Sequence, residues 1–306
     1  MTAKIPIKRK KGFLNLIYDV LKPIASALLL LVFILNSNTV KTDTYNTILF
    51  LATRLIPTLF PFAVITQIII AQNLKLPFSR YMYKLFKIPE NLLAPLILGI
   101  VCGFPIGAIL VRELYKQGAA QKQEAERVII LSSQPSIAFL LMISKTEGAI
   151  FGVEKILLSS LFLVLFFLLI SKNKQAENDY SDVILRQSLS FTKSITSAGE
   201  AMLNLSFFVI AFSCLGSVIK STLKKPTLIA IILPLLEITS AVNFISSAII
   251  SDHLKLFLIP FSVGFSGLCV FMQIKNILSD TDLRIKKYIP IKLLQGLLLG
   301  LLICLF

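Results

Sequence analysis

Nine apolar stretches, each about 15 to 24 residues long, recur along the chain, and about 20 apolar residues are what a helix needs to cross the hydrocarbon of a bilayer. This feature confines the chain to membrane helices, because lipid offers no water to an unpaired backbone N–H or C=O. The stretches run roughly Leu14–Leu35, Ile48–Ala71, Leu92–Val111, Val128–Ile143, Ile156–Ile170, Ala198–Ile219, Thr227–Ile250, Leu254–Ile274 and Tyr288–Phe306. Composition agrees: 56% of residues are hydrophobic and 15% charged, against about 25% charged in soluble domains. With mean hydropathy at +0.82, a soluble enzyme and a secreted domain are both excluded.

The formal charge of +15 reports orientation before it reports a ligand, because cations gather in cytoplasmic loops of membrane proteins. No nucleic-acid partner is expected. Cys102, Cys214, Cys269 and Cys304 all lie in apolar stretches without a CxxC pair, so they read as small buried hydrophobes. His253 is the one histidine, and no nucleophile–base–acid arrangement, phosphate loop or metal spacing occurs. The expectation is a non-enzyme with no cofactor and no metal. The basic start resembles the front of a signal peptide, but no small-residue cleavage site follows its apolar run, which is kept as a first span.

The only long hydrophilic connection, 172–196, divides the chain. The expected organisation is a basic N-terminus with a first helix at 1–47, one repeat at 48–171, the cytoplasmic linker at 172–196 and a second repeat at 197–306. Three matches keep their order in the two halves, at separations of 146, 133 and 130 residues. Leu59–Ile65 corresponds to Leu205–Ala211, the GFPIGA of Gly103–Ala108 to the LEITSA of Leu236–Ala241, and the run from Ser132 to the run from Ser262. Such a duplication is a common transporter plan. If all nine stretches cross, the loop cations after the N-terminal segment divide 13 inside to 10 outside. If the third and seventh are re-entrant hairpins, the division is 16 to 7, which the positive-inside rule prefers. Lys220, Lys224 and Lys225 count against that assignment. Each repeat then crosses three times, so the two are inverted. The expected architecture has seven crossings and two hairpins, an N-terminus in the cytoplasm and a C-terminus outside.

Among sixteen acidic residues Glu237 alone lies deep in an apolar stretch, where an ionised carboxylate costs several kcal/mol unless paired or hydrated. It is either a contact for substrate, proton or cation, or a protonated helix–helix hydrogen bond. CGFPIGA, with Gly103, Phe104 and Pro105, breaks a helix and frees backbone groups to act as ligands; the alternative is a kinked continuous span with Gly103 and Gly107 as a packing face. Ser132, Ser133, Gln134 and Ser136 surround Pro135, and Ser262, Gly264 and Ser266 occupy the matching place in the second half. Two interrupted helices at matching places point to a transporter-like site, while serines bonding back to their own helix are the alternative. Thr239, Ser240 and Asn243, close after Glu237, complete the candidate binding set. Gln273 and Arg54 read as a helix–helix tie and a snorkelling cation.

The order LFPF, GFPIGA, YKQGAAQKQEAERVIILSSQPSIAFLL, LLEITSA and GFSGLCVFMQI, over about Pro57 to Gln273, resembles the nucleoside-recognition (Gate) domain proteins. More narrowly, it resembles the YlbJ-like sporulation integral membrane proteins of endospore-forming bacteria. The resemblance implies an all-α polytopic membrane protein linked to spore cortex formation, with a core similar to that of concentrative nucleoside transporters: two inverted repeats, each with a re-entrant hairpin and a broken helix. SSQPS departs from the Asn-rich run expected before the proline. The implied partners are the lipid bilayer, a nucleoside-like solute or a spore or cell-wall metabolite, H⁺ or Na⁺, and a second copy in a homo-oligomer. The implied location is the cell membrane. The alternative is a non-transporting scaffold in spore envelope assembly.

Overall fold

The computed structural model describes residues 13–71, 78–144, 153–171 and 191–305, and every regular element among them is helical. The basic start and the linker positions 172–190 lie outside the described residues, as does the side chain of Asp19. Helix α1 (Phe13–Leu35) is followed by α2 (Ser37–Phe50), a π turn (Leu51–Leu55) and α3 (Ile56–Ala71), which together give one long span, Ser37–Ile68. The span starts well before Ile48 because its polar first part is paired with α10 (Phe191–Thr222). The Thr47 and Ser213 hydroxyls lie 2.6 Å apart, Thr44 Oγ1 is 3.1 Å from Cys214 Sγ, and Lys220 Nζ is 2.6 Å from Asp43. Lys220 is therefore an ion-paired residue near the end of α10. Since α10 begins at Phe191, residues 191–196 of the expected linker are helix.

The short helix α4 (Ser79–Phe86) has no counterpart among the apolar stretches. It ends at Lys87 in left-handed geometry and meets α5 (Glu90–Cys102) at 90°, with the Ser79 hydroxyl donating to the Glu90 carboxylate. Helices α5 and α6 (Ile106–Lys116) form a hairpin. A Cβ on Gly99 would lie 2.8 Å from the Gly107 Cα, whereas eight residues of straight helix would hold those positions about 12 Å apart. The continuous, kinked reading of CGFPIGA is thereby excluded. Next come α7 (Lys122–Ser132), α8 (Ile137–Ser144) and α9 (Val153–Ile170).

In the second half, α11 (Pro226–Leu236) and α12 (Ile238–Ser247) pack on each other across Glu237, which is extended at φ −152°. Proline at the first position of α11 has no N–H to leave unpaired. Helices α13 (Asp252–Phe265) and α14 (Gly267–Ile277) share one span but are interrupted at Ser266, at φ 67°. The chain's last helix is α15 (Tyr288–Leu305), packed on α13 so closely that a Cβ on Gly264 would stand 2.7 Å from the Gly296 Cα. Among the described residues four helices are long and apolar enough to cross a membrane: Ser37–Ile68, Phe191–Thr222, Asp252–Ile277 and Tyr288–Leu305. The protein is an all-helical, polytopic membrane protein.

Two buried apolar clusters hold the helices together. One gathers Leu55 and Leu59 of the first long span, Leu205 of α10, and Ile238 and Val242 of α12; the other gathers Leu92, Val111, Val128, Ile274 and Tyr288 around the first hairpin. At one rim the α14–α15 loop is fastened to the first hairpin and α7. Asp280 takes Lys116 at 2.9 Å and also Arg112, Asp282 takes Lys122 at 2.7 Å, and Glu126 accepts the Arg284 N–H at 2.6 Å. Hydrogen bonds from Arg112 and Lys116 hold the Asp280 carboxyl well below the usual carboxylate range, so this carboxylate is ionised at neutral pH.

Candidate functional site

Each half brings its helix-pair tip onto its own broken helix through backbone contact. At the first tip the Phe104 N–H donates to the Gln134 carbonyl at 2.9 Å, and a Cβ on Gly103 would lie 2.6 Å from the Ser136 N. Gly103, at φ +82°, is needed both for that conformation and for that approach. At the second tip the same relation holds in other residues: a Cβ on Gly267, at φ +76°, would lie 2.7 Å from the Leu236 carbonyl oxygen. One tip meets the α7–α8 break and the other meets the α13–α14 break.

Between the two lies a small cavity of about 20 Å³, lined by Phe104 and Ser136 from the first half and by Glu237, Thr239, Cys269 and Gln273 from the second. Its volume suits one water molecule. Glu237 is buried and caps α12: one carboxylate oxygen accepts the Thr239 N–H at 2.7 Å, the other the Ser240 N–H at 2.6 Å. A carboxylate at a helix N-terminus takes up donors the helix cannot use and complements its dipole. So the acid that the sequence leaves without a local partner finds two, within three residues.

Beside this cavity, and reaching the Asp280 rim, lies a polar vestibule of about 510 Å³. Gln67, Glu113, Glu200, Asn204, Asn276 and Gln273 line it, and Pro105 and Leu205 stand at its inner end. Gln273 and Leu205 line both spaces and so stand between them. Gln273 is buried, its amide N–H donates to Cys269 Sγ at 3.2 Å, and its Oε1 has no protein partner. A buried acceptor without a donor costs about 1–3 kcal/mol. It has the chemistry of a ligand contact, not of the helix–helix tie that its position in the sequence suggests.

The fourteen candidate binding residues separate in space. Phe104, Ser136, Glu237 and Thr239 meet around the inner cavity, Pro105 faces the vestibule, and Gly103 and Ser240 sit at the tips. Ser136 also caps α8, accepting the Phe139 N–H at 3.0 Å. Ser132, Ser133, Ser262 and Ser266 are buried and donate to carbonyls of their own helices, three or four residues back. Gly264 makes the α15 contact, and Asn243 is exposed, away from both spaces.

Gln134 belongs to a network of its own. Its Oε1 accepts Gln295 Nε2 at 2.8 Å and Lys292 Nζ at 3.3 Å, and Lys292 Nζ also donates to Gln295 Oε1 at 3.0 Å. Lys292, Gln295 and Gln134 are all buried, Lys292 completely. In the sequence Lys292 lies four residues into the last apolar stretch, just beyond the cations of residues 284–287, and carries no assigned role. The available signal is its spacing from Gln295, three residues on and on the same face of an apolar helix.

No family profile matches the chain, and no solved structure matches it. Among curated proteins it is similar to the sporulation integral membrane protein YlbJ of Bacillus subtilis (strain 168), 22% identical over 290 residues that cover 78% of this chain and 71% of the relative. That similarity agrees with the helices: this is an integral membrane protein.

Proposed function

We propose that this protein is a transporter-like membrane protein of the nucleoside-recognition (Gate) type, moving a small polar solute with H⁺ or Na⁺ as coupling ion. On this reading the two halves are inverted repeats, α5–α6 and α11–α12 are re-entrant hairpins, and the N-terminus is cytoplasmic. The observation that carries it is the polar vestibule lined by a buried, donor-less Gln273 carbonyl, beside an inner cavity that the same Gln273 shares with the Glu237 carboxylate and the tip of the first hairpin. Polar groups at membrane depth are costly and are kept where a solute or ion uses them. The relative's name places that protein in sporulation, and the same role, with a part in spore cortex formation, is proposed here.

Thermal melting of the purified protein with a panel of nucleosides and cell-wall metabolites tests solute binding. A solute held at about 100 times its Kd adds roughly 2.7 kcal/mol. One chemical class should raise the melting temperature, and Gln273→Leu should abolish that rise in a protein that still folds. No response to any solute or cation would turn the reading toward a scaffold that has lost transport. Orientation has its own test: a thiol-reactive, membrane-impermeant label should reach Lys225→Cys from outside intact cells and Lys116→Cys only after lysis. The reverse pattern would mean that the third stretch crosses the membrane or that the whole orientation is inverted, and labelling of both from outside would break the count of three crossings between the two positions.

A further inference from the structure

We infer that the Lys292 ammonium is a built-in cation, occupying at the α7–α8 break the place that an inorganic monovalent cation would otherwise take. The inference rests on the transporter reading in one respect, that the helix breaks are the working centre. Three observations carry it. Lys292 is completely buried, yet among the described residues no carboxylate lies within ion-pair distance of its Nζ; its partners are the neutral oxygens Gln134 Oε1 and Gln295 Oε1. Those oxygens are oriented toward it by their own amides, since Gln295 Nε2 donates to Gln134 and Gln134 Nε2 donates to the Leu131 carbonyl at 3.0 Å. And Gln134 lies two residues beyond Ser132, the last residue of α7, where the partial negative charge of a half-helix end collects.

Oxygen ligands at the C-terminal end of a broken helix are the arrangement in which membrane transporters coordinate Na⁺. Here a side chain delivers the positive charge from α15, the helix that packs on both broken spans. The charged groups on neighbouring elements are remote or already engaged. Glu124 and Arg127 pair with each other toward the start of α7, and Glu126 accepts the Arg284 N–H. Asp252, His253 and Lys255 lie at the opposite end of α13 from Gly264, and Glu154 and Lys155 at the far end of α9 from the α7 contact. Tyr288, one turn before Lys292 on α15, is buried with its hydroxyl unpartnered. The nearest compensation for the ammonium is therefore the helix end and the two amides, which is what a cation site provides.

The consequence is that wild-type protein has no Na⁺ requirement, which leaves H⁺ as the coupling ion of the proposed transport, and that removing the ammonium creates one. The probes are Na⁺, methylammonium as a mimic of the lost group, and N-methyl-D-glucamine as an inert control, all as chlorides at equal concentration. Purified wild type in nanodiscs should melt at the same temperature in all three. Lys292→Ala should melt lower in N-methyl-D-glucamine and regain about 5 °C, saturably, in Na⁺ or methylammonium. A Na⁺-specific rise in the wild type overturns the inference, and so does a folded Lys292→Ala that responds to neither cation. Where Lys292→Ala cannot be recovered folded, Lys292→Arg and the wild type decide: Na⁺-independent melting in both supports a built-in cation, and a Na⁺-dependent rise in either overturns it. None of these outcomes depends on finding a solute, so failure of the solute panel and failure of the cation test remain distinct results.

Discussion

Gly103→Ala and Gly267→Ala should each destabilise the protein by about 3 kcal/mol or more, the sum of two costs that coincide at each position. A side chain at φ +82° or +76° costs roughly 1–3 kcal/mol, and overpacking typically adds about 1–3 kcal/mol. The added Cβ would meet backbone, 2.6 Å from the Ser136 N in one case and 2.7 Å from the Leu236 O in the other, and backbone cannot swing aside as a flexible side chain can. Gly118→Ala separates the two costs: it has φ +73° but nothing within 4 Å, so it should lose only about 1–2 kcal/mol. Thermal melting of the three variants in one detergent checks this. Equal losses in all three would mean that the tips do not press on the helix breaks.

The second large effect belongs to Glu237. The sequence alone suggests that Glu237→Gln keeps the shape and much of the hydrogen bonding while removing the titratable charge. The structure revises this, because both carboxylate oxygens accept backbone N–H groups and an amide has one oxygen. Glu237→Gln should therefore cost about 1–3 kcal/mol, by setting an NH₂ against a buried N–H, and Glu237→Ala should cost about as much again. Both variants should lose the solute-dependent melting shift, with Glu237→Gln still folded. Two variants as stable as wild type would remove Glu237 from its capping role. A Glu237→Gln protein that binds solute as the wild type does would remove it from the binding site.

These effects follow from features of unequal legibility. The helical class, the membrane setting and most apolar segment limits can be read from one dimension, because length and apolarity are properties of consecutive residues. So can the break at CGFPIGA, where two glycines and a proline fall within seven residues. The long start of the second span cannot: Ser37 to Thr47 is polar, and it is helical where Asp43, Thr44 and Thr47 find Lys220, Cys214 and Ser213 on α10. Helix α4 is too short and too polar to stand out from a loop.

The candidate site shows the same division. Glu237 is conspicuous as a carboxylate in an apolar run, and the sequence by itself determined that such a group must be paired or used. Which of these it is depends on Thr239 and Ser240 turning their N–H groups toward it, an effect of the backbone that residue types do not announce. Lys292 is the converse, ordinary in sequence and exceptional in space. Gln134 reaches it across 158 positions, and the four buried serines that share Gln134's polar character spend their hydroxyls on their own helices. Apolar periodicity fixes which residues leave water, since burial is a summed preference of local segments. The partner of each buried polar group is a contact between distant segments, and only the packing of the helices decides it.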